Sequence, residues 1–370
     1  MADTAPLLEA FDRQIGWCSQ PSPFSARVLG RSRAWLAAHD DALAALAAVA
    51  EDPLKGAVAL RWLSGLHHLA LLGREPWARL WQPAAAQPDA AAFDAALDAA
   101  LDDAIDGAID GPWRKQRGHM QAALAGPPQT NEVQRSAALL PALLHVAALT
   151  RRPLALAEIG SSAGLNLWCD HYNHQHRDAA AAPAWQWGDP AAALRLDCEW
   201  SGGPPPQAAL QVSQRAGCDA SPVDLRLPGE DLRLASFIWP DQPERLTRLR
   251  AAVAVARECM ARHGVQVKRQ RAADFVREQL AARPVGATWV LMHSVVWQYI
   301  DAGERDDILA QMDAAAALAT TTAPLAWLRF EPPKADLRVE LRCRVWPGGQ
   351  DLLLAVCHPH GAWVQWQTAA

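Results

Sequence analysis

Leu154-Ala155-Leu156-Ala157-Glu158-Ile159-Gly160-Ser161-Ser162-Ala163-Gly164-Leu165-Asn166-Leu167 decides how the chain reads. An apolar run of strand length ends on an acid and a glycine. Small residues follow, and a helix-like segment, GLNLWCDHYNH, starts at Gly164. A strand that breaks at glycine and enters a helix makes a ligand-binding turn, because small side chains admit a ligand to the backbone and the helix N-terminus favours negative groups.

Downstream, strand and helix patterns alternate. LRLDCEW (194–200), VQVKRQ (265–270), WVLMHS (289–294) and LAWLRFE (325–331) read as strands. PERLTRLRAAVAVARECMARHG, AADFVREQLAAR and ERDDILAQMDAAAALA read as helices. RVELRCRVWPGGQDLLLAVCHPHG reads as a hairpin turning at Pro-Gly-Gly. Upstream the pattern is helical: RSRAWLAAHDDALAALAAVA and GAVALRWLSGLHHLALLG repeat apolar residues at three and four, and QPSP, EDP, GREP and GPP punctuate them. Asp102, Asp103, Asp106 and Asp110 form an acidic stripe that reads as a solvated helix face, since the segment has no calcium-loop glycine or terminal Glu. The expectation is an α/β protein. A helical domain over residues 1–148 precedes, over 149–370, a doubly wound, Rossmann-like, mostly parallel sheet with an antiparallel C-terminal hairpin.

Composition narrows the function. The chain has 370 residues, 51% hydrophobic and 20% charged, with a net charge of −5 and a pI near 6.2. That balance disfavours nucleic acid and anionic membrane as partners and leaves a small molecule. Seven scattered cysteines form no CxxC pair, so neither a metal knuckle nor a disulfide framework is expected, and free thiols suit a cytoplasmic protein. The N-terminus shows no signal peptide, and no apolar run of about 18 residues suggests a membrane span. The 17 Trp read first as packing residues.

Three chemistries use a turn like Gly160–Gly164. A dinucleotide fingerprint needs glycines where Ser162 and Leu165 stand. The nucleophile elbow G-x-S-x-G matches Gly160-Ser161-Ser162-Ala163-Gly164, with Ser162 as nucleophile and His358 or His360 as base, but several strands should precede it. Third, the turn and the strand order after it resemble the class I S-adenosylmethionine-dependent methyltransferases, with Ser162 where the middle glycine of E-x-G-x-G-x-G usually lies. That resemblance covers roughly residues 150–360. It implies that Glu158, Gly160, Ser161, Ser162, Gly164 and Asn166 face S-adenosylmethionine. It places Asp274 at the adenine with Phe275 on the ring, and Asp197 or Glu199 at the ribose on LRLDCEW as second strand. His293-Ser294 would end the fourth strand beside the transferred methyl, where nucleic-acid amino methyltransferases carry Asn-Pro-Pro-Tyr.

The whole chain also resembles an uncharacterised bacterial family of unknown function. The residues are Pro128-Gln129-Thr130-Asn131-Glu132 with Arg135, LAEIGSSAGLNL with Asp170, Trp239-Pro240-Asp241-Gln242, His293-Ser294 and Pro359-His360-Gly361.

Other polar groups carry two readings each. Asn131 with Glu132 and Gln134 reads as a helix cap, or, with Arg135, as a grip on the amino acid end of a cofactor. Asp170-His171-Tyr172-Asn173-His174-Gln175-His176 reads as a solvated, His-rich helix end rather than a metal site. His293 is the expected base of a methyl transfer to oxygen or nitrogen of a small metabolite. Ser294 and Tyr299 orient the acceptor, and His360 is the reserve base. The alternatives are a strand-end support role for His293 and a ligand-binding protein that keeps the fold without catalysis.

Overall fold

A computed structural model describes residues 4–82, 89–105, 113–333 and 338–367, with the side chains of 103–117 set aside. The chain forms two compact units. One gathers residues 1–130 and 228–247, the other 131–227 and 248–370.

The first unit is helical: α1 (Ala5–Cys18), α2 (Pro23–Ala37), α3 (Asp40–Ala47), α4 (Val58–Leu71), α5 (Trp77–Leu80), α6 (Ala90–Ile105) and α7 (Trp113–Ala125), with α8 (Glu230–Ala235) returning from later in the chain. Leu7, Phe11, Leu36, Trp62, Leu66 and Trp77 share its apolar core. The Trp-Pro-Asp-Gln motif belongs here. Asp241 accepts from Ser22 Oγ and, at 3.2 Å, from the Phe24 amide, placing a carboxylate at the positive end of α2. Asp102 accepts from Trp35 Nε1 at 2.7 Å, so it is a packing contact. The side chains of Asp103, Asp106 and Asp110 lie outside the described residues.

The second unit holds α9 (Ser136–Thr150) and an 11-stranded sheet: β1 (Leu154–Ile159), β2 (Asn173–Arg177), β3 (Pro183–Trp187), β4 (Arg195–Ser201), β5 (Val212–Asp219), β6 (Val267–Arg269), β7 (Thr288–Ser294), β8 (Leu325–Glu331), β9 (Val339–Trp346), β10 (Asp351–Cys357) and β11 (Trp363–Trp366). The order is β3-β2-β4-β11-β10-β9-β8-β7-β1-β5-β6. Six pairings are parallel and four antiparallel, β9 and β10 forming the expected hairpin. Helix α10 (Pro243–His263) precedes β6. Helices α11 (Ala272–Ala281) and α12 (Ala302–Ala317) cover one sheet face, where Ala155, Ala157, Ile159, Leu291 and Trp327 pack on Phe275, Ile308 and Met312.

Several expectations are corrected. LRLDCEW is not the strand beside β1: it is β4, between β2 and β11, and the neighbour of β1 is VSQRAGCD, whose polar residues hide its strand character. GLNLWCDHYNH is a 3₁₀ turn over Leu165–His171, non-helical at Trp168, leading into β2. His174 and His176 are therefore alternate residues of a strand and both are buried, not a solvated helix end. The helix Ser136–Thr150 groups with the sheet unit. Residues 133–150 reach a mean hydropathy of 1.2 over 18 residues, against the expectation of no apolar run of that length. Seventy-eight per cent of that window is buried inside the protein, so it reads as a core helix, apolar all round.

Candidate functional site

In the sheet β1 lies between β5 on one side and β7 on the other, and the chain reaches β5 first, by way of β2, β3 and β4, and β7 later. Such a reversal opens a crevice at the carboxyl ends of the strands, the usual ligand position in open α/β sheets. The Gly160–Gly164 turn sits there. Gly160 (φ +66°), Ser162 (φ +54°) and Gly164 (φ +72°) all take left-handed backbone.

Side chains from elsewhere hold the turn. Ser161 Oγ lies 2.9 Å from the Glu158 carbonyl and 3.0 Å from that of Cys218, donating its one proton between them. Gly217 leaves room for it, since a Cβ there would come within 2.5 Å of Ser161 Oγ. The Ser162 amide donates to Asp219 Oδ2 at 2.9 Å, and Asp219 Oδ1 takes the Ser221 amide at 2.8 Å. Asn131 Oδ1 accepts from the amides of Ala163 (3.2 Å) and Leu165 (3.3 Å). Ser136 Oγ donates to Asn166 Oδ1 at 2.8 Å.

Asn131 therefore does not cap its own helix. Glu132 takes that place, accepting from the Gln134 amide, while Gln134 Nε2 reaches the Asp197 carbonyl at 2.8 Å. Arg135 ties two further segments: Nη1 donates to the Ser294 carbonyl and Nε to the Pro359 carbonyl, each at 3.0 Å. Three motifs far apart in sequence thus meet at Arg135.

Register divides the expected residues between the two sheet faces. Glu158 is level with Gly217 and Met292, so it shares its face with Asp219 and Ser294. His293 and Glu331 project from the opposite face, over α11 and α12. Glu158 is 2% exposed, and its Oε2 meets no partner. Burial, then the Asp219 charge, push its pKa up to about 8, against the pull of Arg135.

On the other face His293 Nδ1 lies 2.6 Å from Glu331 Oε1, which also takes the amides of Val296 (3.0 Å) and Trp297 (3.3 Å). His293 is 1% exposed, stacked on Trp297 at 5.1 Å and beside Trp327. Its Nε2 has no partner. Tyr299 is 43% exposed and feels the charges of both Arg135 and Glu331. His360 is half-buried, its amide on His358 Nδ1 at 3.1 Å.

The remaining candidates fall away from the crevice. Phe275 is wholly buried in the α11–α12 core and presents no ring to a ligand. Asp274 pairs with Arg277 on the first turn of α11 at 2.7 Å. Asp197 and Glu199 are exposed on β4, Asp197 paired with Arg195. Sequence reasoning missed Asp219 and Glu331, although each is an acid closing a strand at its carboxyl end. A cavity of about 300 Å³ opens beside the amino halves of β1, β5 and β7. Its two arginines are already engaged, Arg215 by Asp170 and the Leu167 carbonyl, Arg283 by the Ala315 carbonyl near the end of α12. Among the described residues no group of three or more His, Cys, Asp or Glu is placed to hold a metal ion.

The family model described as "Uncharacterized protein conserved in bacteria (DUF2332)" matches residues 8–366. The chain belongs to this family. No curated protein and no solved structure matches it.

Proposed function

We propose that this protein is an S-adenosylmethionine-dependent methyltransferase acting on oxygen or nitrogen of a small metabolite. One observation carries the reading: the Gly160–Gly164 turn and Asp219 stand together at the carboxyl ends of β1 and β5, beside the crevice. The parallel strands β6-β5-β1-β7-β8 run in the order third, second, first, fourth, fifth, as in doubly wound nucleotide-binding sheets.

The residues present fit such a ligand. Asp219 is a carboxylate at the strand end where a ribose acid is expected, and Glu158 offers a buried oxygen without a partner. Asp219 would accept from the ribose hydroxyls, and Glu158 from the amino acid end. The bound cofactor would supply a methyl group on a positively charged sulfur. The chain's own task is alignment and proton removal. His293, sealed between Trp297 and Glu331, suits a supporting role. His360 and Tyr299, both with access to solvent, suit the base and the acceptor's orienting group.

A second reading has its own support. Val296 fills the space over Gly160, and the amides of residues 162, 163 and 165 are committed to Asp219 and Asn131. Both favour a protein that binds a metabolite without turning it over. The hydrolase reading of Ser162 lacks its scaffold, as no strand precedes Leu154 among the described residues.

Calorimetric titration with S-adenosylmethionine and S-adenosylhomocysteine, then a methyl-donor assay on a metabolite extract, tests these readings. Binding with turnover that His360→Ala abolishes supports the enzyme. Binding without turnover supports the second reading, and no heat at millimolar ligand removes S-adenosylmethionine as the ligand of either.

A further inference from the structure

We propose that the turn Val295–Tyr299 is a gate on the crevice, latched shut by the His293–Glu331 pair. The inference rests on the crevice being the ligand site. A Cβ placed on Gly160 would lie 2.3 Å from Val296 Cγ2, so the valine side chain occupies the space over the glycine that a ligand would need. Val295 sits at φ +54°, a conformation that branched side chains resist. Strain of that kind persists only where surrounding contacts impose it, and those contacts are present. Glu331 Oε1 gathers the amides of Val296 and Trp297 together with His293 Nδ1, and Trp297 stacks on the His293 ring. Rotation about Val295 lifts Val296 from Gly160, releases the strain and opens the crevice. The adjoining Trp297–Tyr299 turn is a single 3₁₀ turn, and the contacts that opening must break are Trp297 on the rings of His293 and Trp327 and Val296 on the α11–α12 core.

Hydrogen–deuterium exchange on the full chain reads the latch through the amides of Val296 and Trp297. Glu331→Ala speeds their exchange at least tenfold while the β7 amides stay protected. Unchanged exchange in that variant, folded by circular dichroism, overturns the latch with no ligand involved. Val295→Gly raises the unfolding midpoint if the backbone is strained, a lowered midpoint overturns that part, and this variant decides the matter if Glu331→Ala does not fold. Val296→Ala tightens S-adenosylhomocysteine at least fivefold by calorimetry. If the wild-type protein binds and Val296→Ala binds no better, the gate is wrong and the functional reading stands. If neither protein gives heat, the functional reading and the gate's ligand both fail, and the exchange data alone judge the latch.

Discussion

Gly361 presses against the carbonyl oxygen of Gln134. A Cβ at Gly361 would stand 2.3 Å from that oxygen and 3.0 Å from the Arg135 amide nitrogen, and the residue holds φ at +69°. Both neighbours are backbone and neither can rotate away. This contact brings the Pro359-His360-Gly361 segment to Arg135, whose Nε bonds the Pro359 carbonyl.

Gly361→Ala should therefore destabilise the protein by about 2–4 kcal/mol, the sum of a left-handed alanine and a backbone clash. Gly264 also has positive φ (+65°) but open space around its Cα, so Gly264→Ala should cost only about 1 kcal/mol. Urea unfolding of both variants checks the contrast, and equal losses would remove the contact from the argument.

The histidines of β2 set an acid limit on stability. Burial pushes His174 down to about 4 and His176 to about 2, against an ordinary value of 6.5. The unfolded chain takes these protons first, so their share of stability is full above pH 6.5 and is lost as pH falls towards 4 and below. Each proton contributes a slope of up to about 1.4 kcal/mol per pH unit. His176 stacks on Trp185 at 4.0 Å and meets the edge of Trp200, with neither ring nitrogen partnered. His176→Phe keeps the stacking and removes one titrating group. Its unfolding free energy should fall less steeply between pH 6.5 and 4.5 than that of the wild type, and an identical slope would refute the assignment.

Glu158 works in the opposite direction. Its pKa rises from 4.5 to about 8 on folding, so its share of stability is whole below pH 4.5 and is lost as pH climbs to 8. Glu158→Gln should gain up to about 4 kcal/mol at pH 8 and nothing at pH 4. If Glu158 serves a ligand, the same variant binds S-adenosylhomocysteine less well. Stability curves at the two pH values, with one titration, separate a structural acid from a functional one.

The central strands were legible because burial on both faces leaves an apolar run: LALAEI, WVLMHS and LAWLRFE stand out, and the Pro-Gly-Gly turn announces β9 and β10. β5 escaped notice because its residues answer to neighbours and not to a core. Gly217 yields to Ser161, Arg215 reaches Asp170, and Asp219 holds the Ser162 amide. β2 escaped because NHQHR hides two buried imidazoles under a polar sequence, their partners Trp185 and Trp200 lying on other strands. At the site, local sequence indicated the turn and Arg135. It could not show which face of the sheet each side chain takes: Glu158 and His293 end neighbouring strands, and one residue of register sends them to opposite sides.

The helical unit closes late in synthesis. Its last segment, residues 228–247, supplies Ser236, whose hydroxyl meets Ser64 Oγ at 2.7 Å and whose carbonyl meets His67 Nδ1, as well as Asp241 at the start of α2. A ribosome that has made the first 130 residues has therefore released a bundle with these partners missing. By the time they arrive, β1 through β5 have already emerged. An isolated fragment ending at residue 130 or 148 would be permanently short of them, so a helical unit on its own calls for joining residues 1–130 to 228–247, with 131–227 and 248–370 both left out.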